Sequence, residues 1–377
     1  MKKREKCWKL FLINILILTL SFSFISASTS LASINVNPSI TNSNPVLTVT
    51  LSESNSSYLI SGAEYFIDSA GVSGTGNSLT ASDGAYDELT EDASASIDIT
   101  GLSQGSHTVY VHGLNNNSEW GAFSTISFTK DTIIPTLTSM QITGAYGATN
   151  RLSPQNADGK YDSVRIIMNS SESVDWGRTR IYNSTGQEIK YFNGPAGLIN
   201  SNIETWDGKN SSGNYVLDGT YTIFTNITDQ AGNSNVIYIG SVLIDNTAPI
   251  GTITRGTPIA SYNDLTQEIT INYNEVMDTS YRPLINFTNN IGEIRSTGGS
   301  WSTNQIWTEN FLVEDADEET TNVIISSSLA KDLVENSEGT SISASFSIII
   351  SFSSNVSISI FSLPKSLLSF CKIIKSS

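Results

Sequence analysis

Beyond its N-terminal segment the chain breaks into short runs in which apolar and polar residues alternate. Thr108-Val109-Tyr110-Val111, Tyr221-Thr222-Ile223-Phe224 and Ile269-Thr270-Ile271-Asn272-Tyr273 are examples. Period two gives each run one apolar and one polar face, and the β-branched and aromatic enrichment suits a pleated, half-buried strand. No helical period is sustained anywhere. Clusters of Gly, Asn, Asp and Ser punctuate the runs at about 8–12 residues, the interval of sandwiches and barrels and not of βαβ units. The expected fold class is therefore all-β, with tandem β-sandwiches in an extended array. A length of 377 residues allows two or three of them.

One internal repeat fixes where the modules fall. Leu102-Ser-Gln-Gly105-Ser-His107 matches Val216-Leu-Asp-Gly219-Thr-Tyr221 at an offset of 114, and the same offset aligns Val109 with Ile223, Asn115 with Asp229, Asp131 with Asp245 and Pro135 with Pro249. A register held without a gap over this distance marks a repeated unit. Each copy reads as an apolar residue, a glycine-assisted corner, a ring, an alternating strand, an Asn/Asp turn, and a last strand ending in Asp-x-x-x-Pro. The proline stops that strand and opens the next module.

The N-terminus reads as a targeting segment. Lys2, Lys3, Arg4, Lys6 and Lys9 precede an uncharged apolar run from Leu10 to Ile25, then a small-residue stretch; Ser30-Leu31-Ala32 offers a cleavage site and Ala27 an earlier one. Residues 1–32 are thus expected to be a signal peptide, leaving modules at 33–131, 132–246 and 247–352 and a tail at 353–377. Losing five cationic residues and Glu5 takes the formal net charge from −16 to −20. Losing Cys7 leaves Cys371 alone, so no intramolecular disulfide forms and no cysteine-based metal site is available. Binding of nucleic acid, which depends on cations neutralising phosphates, is disfavoured on such an acidic chain.

Several motifs resemble bacterial and archaeal surface modules. Asp131-Thr-Ile-Ile-Pro135 and Asp245-Asn-Thr-Ala-Pro249 are similar to the joints between tandem bacterial Ig-like domains. Ser153-Pro-Gln-Asn-Ala-Asp-Gly159, Trp206-Asp-Gly-Lys-Asn-Ser-Ser-Gly213, Asp218-Gly-Thr-Tyr221 and Asp229-Gln-Ala-Gly-Asn233 follow, in order, the pattern of FlgD-type Ig-like domains. Tyr273-Asn-Glu-Val-Met-Asp278 and Ala330-Lys-Asp-Leu333 resemble the Ig-like repeats of S-layer and adhesin-type proteins, and Ala63-Glu-Tyr-Phe-Ile-Asp68 is similar to the same broad group. The resemblance implies an exported, non-enzymatic surface protein with envelope proteins or glycans as partners. Fold does not carry function, and nothing flagellar follows from it.

The side chains available for chemistry agree with that absence of catalysis. The two histidines, His107 and His112, flank one strand and face opposite sides of it, so they cannot share a metal, and His107 holds the corner place of Tyr221. With no reactive Cys or Ser–His pairing, acyl transfer has no activated nucleophile. The carboxylates of Asp83, Asp87, Glu88, Glu91 and Asp92, and of Glu314, Asp315, Asp317, Glu318 and Glu319, lie in dense runs that suit solvated loops or cations more than a sugar cleft. Asn156, Asp158 and Asp162 form the sharpest metal candidate: oxygen ligands at alternate positions, with Gly159 for a tight turn, suit calcium, although the same residues also make ordinary turns. Trp120, Trp176, Trp206, Trp301 and Trp307 support an alternative, a carbohydrate-binding accessory of a secreted polysaccharide-active enzyme, if they are exposed. The uncharged stretch from Phe346 to Leu363 reads better as a last strand and tail than as a membrane span, with Pro364–Ser377 a weak cationic candidate for membrane contact.

Overall fold

A computed structural model describes residues 29–144, 150–156, 158–255, 266–288, 294–313, 320–339, 341–342 and 346–348. Among these residues there is no helix, and the chain is all-β. By its internal contacts it divides into two compact units, one of residues 1–135 with 228–235 and the other of 136–227 with 236–377. Residues 1–28 of the expected signal peptide, and the tail from 349 onward, lie outside the described residues.

In the first unit, β1 (Ser30–Asn37), β3 (Val46–Ser52), β7 (Thr90–Ser96) and β6 (Thr80–Ala81) form one sheet. The second sheet has the order β2 (Ile40–Thr41), β9 (Ser124–Lys130), β8 (Gly105–Asn115), β4 (Ile60–Ile67), β5 (Asn77–Ser78). Alternation does what the sequence requires. Leu47, Val49 and Leu51 of β3 meet Ile60, Tyr65, Val109, Val111 and Phe128 of the opposing sheet in one buried core. Each fully buried aliphatic side chain there contributes about 1.5–3 kcal/mol. Strand β1 opens at Ser30, and Thr29 is already buried with its hydroxyl donating to Glu53 at 3.1 Å. The ordered sandwich thus begins upstream of Ser33.

The second sandwich uses β10 (Leu137–Gly144), β11 (Arg151–Leu152), β12 (Val164–Tyr182), β13 (Glu188–Asn193), β14 (Ile199–Trp206), β15 (Gly219–Thr228) and β16 (Ser234–Ile244). Strand β12, 19 residues long, serves both layers. Its first half pairs with β10 and β14; past an irregularity between Asn169 and Val174, Val174 still meets Ile199 of β14, and from Arg178 the strand pairs with β13, with β15 as its other neighbour. A strand that switches sheets at a break makes a corner of the sandwich. Val164, Ile166, Met168, Trp176 and Ile181 of this strand pack with Trp206, Tyr221, Ile223 and Val242.

The third sandwich sets β17 (Gly251–Arg255), β18 (Thr266–Tyr273), β21 (Ile306–Val313) and β20 (Ile294–Trp301) in one sheet. Opposite lie β19 (Leu284–Phe287), β23 (Ile325–Ser328) and β24 (Ser341–Ile342), while β22 (Thr320–Val323) pairs with β25 (Phe346–Ile348). Among the described residues its core falls into two clusters, around Ile271, Tyr273 and Trp307 and around Ile269, Phe311 and Ile325. No helix among the described residues is long and apolar enough to cross a membrane.

Candidate metal centre

Among the described residues a single turn recurs five times. It starts at Asn115, Asn183, Asn210, Asp229 and Asp332. In each copy the first residue's N–H bonds to the carbonyl four residues on, and its own carbonyl accepts from the residue three on. Its side-chain oxygen also accepts the N–H four residues on. Such a turn needs a positive φ at the fourth position, and Gly186, Gly213 and Gly232 supply it at 79°, 82° and 93°. Ser118 and Glu335 take the same slot at 64° and 62° despite carrying a Cβ.

Two copies grip the Asp-x-x-x-Pro segments. In the first unit, the Asn233 amide donates to the Asp131 carbonyl at 3.0 Å and to the Asp229 carboxylate at 2.8 Å. In the second unit, the Asn336 amide donates to the Asp245 carbonyl at 2.9 Å and to the Asp332 carboxylate at 2.8 Å. The correspondence is residue for residue. Around Asn336 the second and third sandwiches interlock further. Buried Ser153 donates to the Asn336 side-chain oxygen, Asn156 donates to the Val334 carbonyl at 3.3 Å, and Lys160 meets both oxygens of Glu335 at 2.6 Å. Lys331 adds a contact to Glu335 at 3.0 Å. Burial acts to raise the Glu335 carboxyl, but the two lysines outweigh it and hold it below the ordinary range.

At this joint three carboxylates converge. Asp245 comes from the joint segment, Glu275 from the loop after β18, and Asp332 from the head of the turn; one oxygen of each lies within 4.8 Å of the others. Asp332 is 1% exposed and accepts N–H groups from Val334 at 2.8 Å and Asn336 at 2.9 Å. Asp218 sits beside them, fixing the joint by accepting from Asn246 at 2.8 Å and from the Thr247 hydroxyl. Burial, and then the charges of Asp245, Asp332 and Asp218, push Glu275 up to about 7. Burial and then Asp218 raise Asp245; burial also raises Asp332, against the N–H groups that hold its charged form. No lysine or arginine ion pair to these three is present among the described residues, although the charge of Arg151 acts to lower Asp245; carboxyl oxygens gathered in this way are of the kind that could hold a hard cation such as calcium.

The sequence candidates lie elsewhere. On the loop from Ser153 to Asp162, one oxygen each of Asn156, Asp158 and Asp162 accepts a loop N–H, from Asp158, Lys160 and Gly159 at 3.3, 2.9 and 3.0 Å. Only Asp162 Oδ1 is buried without a partner. Asp83, Asp87 and Glu88 are exposed, while Glu91 turns inward and caps the Asp87 and Glu88 N–H groups at 2.7 Å each. The Glu314–Glu319 run lies outside the described residues. Trp176, Trp206 and Trp307 are buried, Trp120 stacks on His112, and Trp301 packs edge-on against Trp307, so none of them is an exposed platform for a sugar. The carboxylate trio escaped the sequence reading because its members are scattered along the chain and no spacing rule joins them.

No family model matches the chain, and no curated protein matches it. Among solved structures it is similar to a marsupial T cell receptor, at 9% identity and a TM-score of 0.29 over 78% of this chain and 96% of that one. It is also similar to the human desmocollin-1 ectodomain, at 11% identity and a TM-score of 0.23 over 80% and 64%. A third likeness is to an alpha-L-rhamnosidase from Dictyoglumus thermophilum, at 9% identity and a TM-score of 0.21 over 85% and 49%. The neighbours include Ig-like and β-sandwich proteins, and the all-β architecture itself is read from the pairing of this chain's own strands.

Proposed function

We propose that this chain is an exported, non-enzymatic structural or adhesion protein of a cell surface, S-layer or adhesin-like, whose sandwiches act as spacers. Its partners are then envelope proteins or glycans. The observation that supports this reading most is the joint of the second and third sandwiches, where Asn336, Ser153, Lys160 and Glu335 tie one module to the next. A chain that must hold modules at fixed spacing has use for such a tie. Calcium, held by Asp245, Glu275 and Asp332, would relieve the repulsion there and stiffen the joint. The loop of Asn156, Asp158 and Asp162 is the second place for it.

Thermal unfolding of the chain with excess calcium or with chelator tests the cation. A ligand that binds only the folded state stabilises it, and a rise of about 2–4 °C is expected. Asp332→Asn should abolish that rise and Asp158→Ala should keep it; the reverse pattern moves the ion to the Asn156 loop. No rise in the unsubstituted chain removes calcium from the reading. Retention on isolated cell envelopes tests the surface role itself, and failure to bind them at any calcium level would sink it.

A further inference from the structure

Strand β8 of the first sandwich carries both histidines of the chain, and each ring is held in the same unusual way. His107 is 3% exposed; its Nδ1 lies 2.7 Å from a carboxylate oxygen of Asp68 and its Nε2 lies 2.9 Å from the Ser103 carbonyl. His112 is 1% exposed; its Nε2 lies 2.8 Å from a carboxylate oxygen of Glu64 and its Nδ1 lies 3.1 Å from the Gly121 carbonyl. All four partners are acceptors. A neutral imidazole has one N–H and can satisfy one of its two; only the imidazolium satisfies both.

His112 lies between Trp120 and Phe123, stacked on both, with centroids 4.4 and 3.9 Å away and interplanar angles of 23° and 22°. Glu64, its cross-strand partner, is buried and accepts N–H groups of Gly74 and Gly76 at 2.7 Å each; these bonds and the His112 pairing outweigh burial and hold Glu64 below the ordinary carboxylate range. Around His107 the charged groups are Asp68, which also accepts the Thr108 N–H at 3.0 Å, and Lys130, whose ammonium donates to the Ile99 and Leu102 carbonyls at 2.8 and 2.7 Å. Asp98 lies near Lys130. Among the described residues, Glu64 is the charged group paired with His112.

We infer that β8 carries a proton-dependent latch: in its doubly protonated form His107 pins the corner loop between β7 and β8 to Asp68, while the His112 ring ties Glu64 to the loop between β8 and β9. Loss of a proton from His107 breaks one of its two bonds, to Asp68 or to the Ser103 carbonyl, and loosens that corner. Burial opposes the charge on His107, but its bonds to Ser103 and Asp68 raise it above the ordinary histidine value. A raised histidine gives its full stability below the unfolded value of about 6.5 and loses it as pH rises through the folded value. The first sandwich should therefore be tightest in mildly acidic medium and loosen on the alkaline side.

With two histidines in the whole chain, ring ¹⁵N NMR of the full protein labelled at histidine is unambiguous. The His107 ring, assigned by its absence from the spectrum of His107→Tyr, should show the imidazolium pattern at about pH 6.5, where an ordinary histidine is half neutral. Neutral tautomers there, in the folded chain, would overturn the latch. The second measurement is the melting temperature of the first unit, expected to fall by about 2–4 °C between roughly pH 6 and 8.5. The variant His107→Tyr keeps a donor toward the Ser103 carbonyl without the proton switch, and should flatten that slope. A slope that survives in this variant assigns it to other groups and overturns the proposal, and the ring spectrum decides the matter should the variant fail to fold.

Discussion

The corners of the first and second sandwiches solve one problem with different chemistry. In the second, the Tyr221 hydroxyl donates to the Leu217 carbonyl at 2.7 Å; in the first, His107 Nε2 meets Ser103, four residues back in the same way. Both rings are buried on the core side of their strand. The phenol is pushed up by burial and then by Asp218, so it keeps its proton wherever a histidine titrates. His107, in contrast, needs a second acceptor, Asp68, and a charge. An identical place in a repeat can thus hold either a permanent fastening or a conditional one, and the difference lies in a single ring.

The comparison can be broken most forcefully at Tyr221. Tyr221→Ala should remove about 3–5 kcal/mol from the second unit in urea unfolding, since it empties a core site beside Trp206. A loss below about 1 kcal/mol would mean the corner is peripheral. The two gripping turns come next. Asn336→Ala leaves the Asp245 carbonyl unpaired and Asn233→Ala does the same to Asp131, so each should cost about 1–3 kcal/mol in its own unit. Clearly unequal losses would show that the two joints are not equivalent. Tyr221→Phe deletes one hydrogen bond and should cost about 1 kcal/mol, the same at pH 6 and pH 8.5 in parallel denaturation curves. A cost that changes across that interval would erase the contrast with His107. The smallest effect is expected at Ser118→Gly, which relieves a positive φ and should stabilise the first unit by about 0.5–1 kcal/mol in urea unfolding, against a loss for Gly186→Ala in the second.

Much of the architecture was legible. The strands around Val109, Ile223 and Ile271 fall where alternation places them, and the offset of 114 aligns two corners that share a hydrogen bond. Legibility failed where a side chain's role depends on distant neighbours. Asp332 heads the same turn as Asp229, yet Leu-Val-Glu stands where the other copy has Gln-Ala-Gly, and without the glycine the turn has no local signature. Glu335 occupies that slot because Lys160 and Lys331 hold it there, which only the folded chain shows. His112 lies on the opposite face of β8 from His107, as period two demands, but its burial comes from Trp120 and Phe123, rings beyond the strand itself. Asp245, Glu275 and Asp332 meet for the same reason: the joint, and not any one segment, defines the group.

Two short pairings have a consequence for how force would travel through the protein. Ile40–Thr41 runs parallel to Thr129–Lys130, and Arg151–Leu152 runs parallel to Leu243–Ile244, so each of the first two sandwiches joins an early strand side by side to its last. Tension applied at the two ends of such a module pulls parallel strands in opposite directions along their length. The hydrogen bonds between them are then strained together and must fail together, whereas an antiparallel hairpin drawn from one end opens a bond at a time. Each module would resist stretching through its smallest sheet contact, with the large core behind that contact carrying load only after it yields.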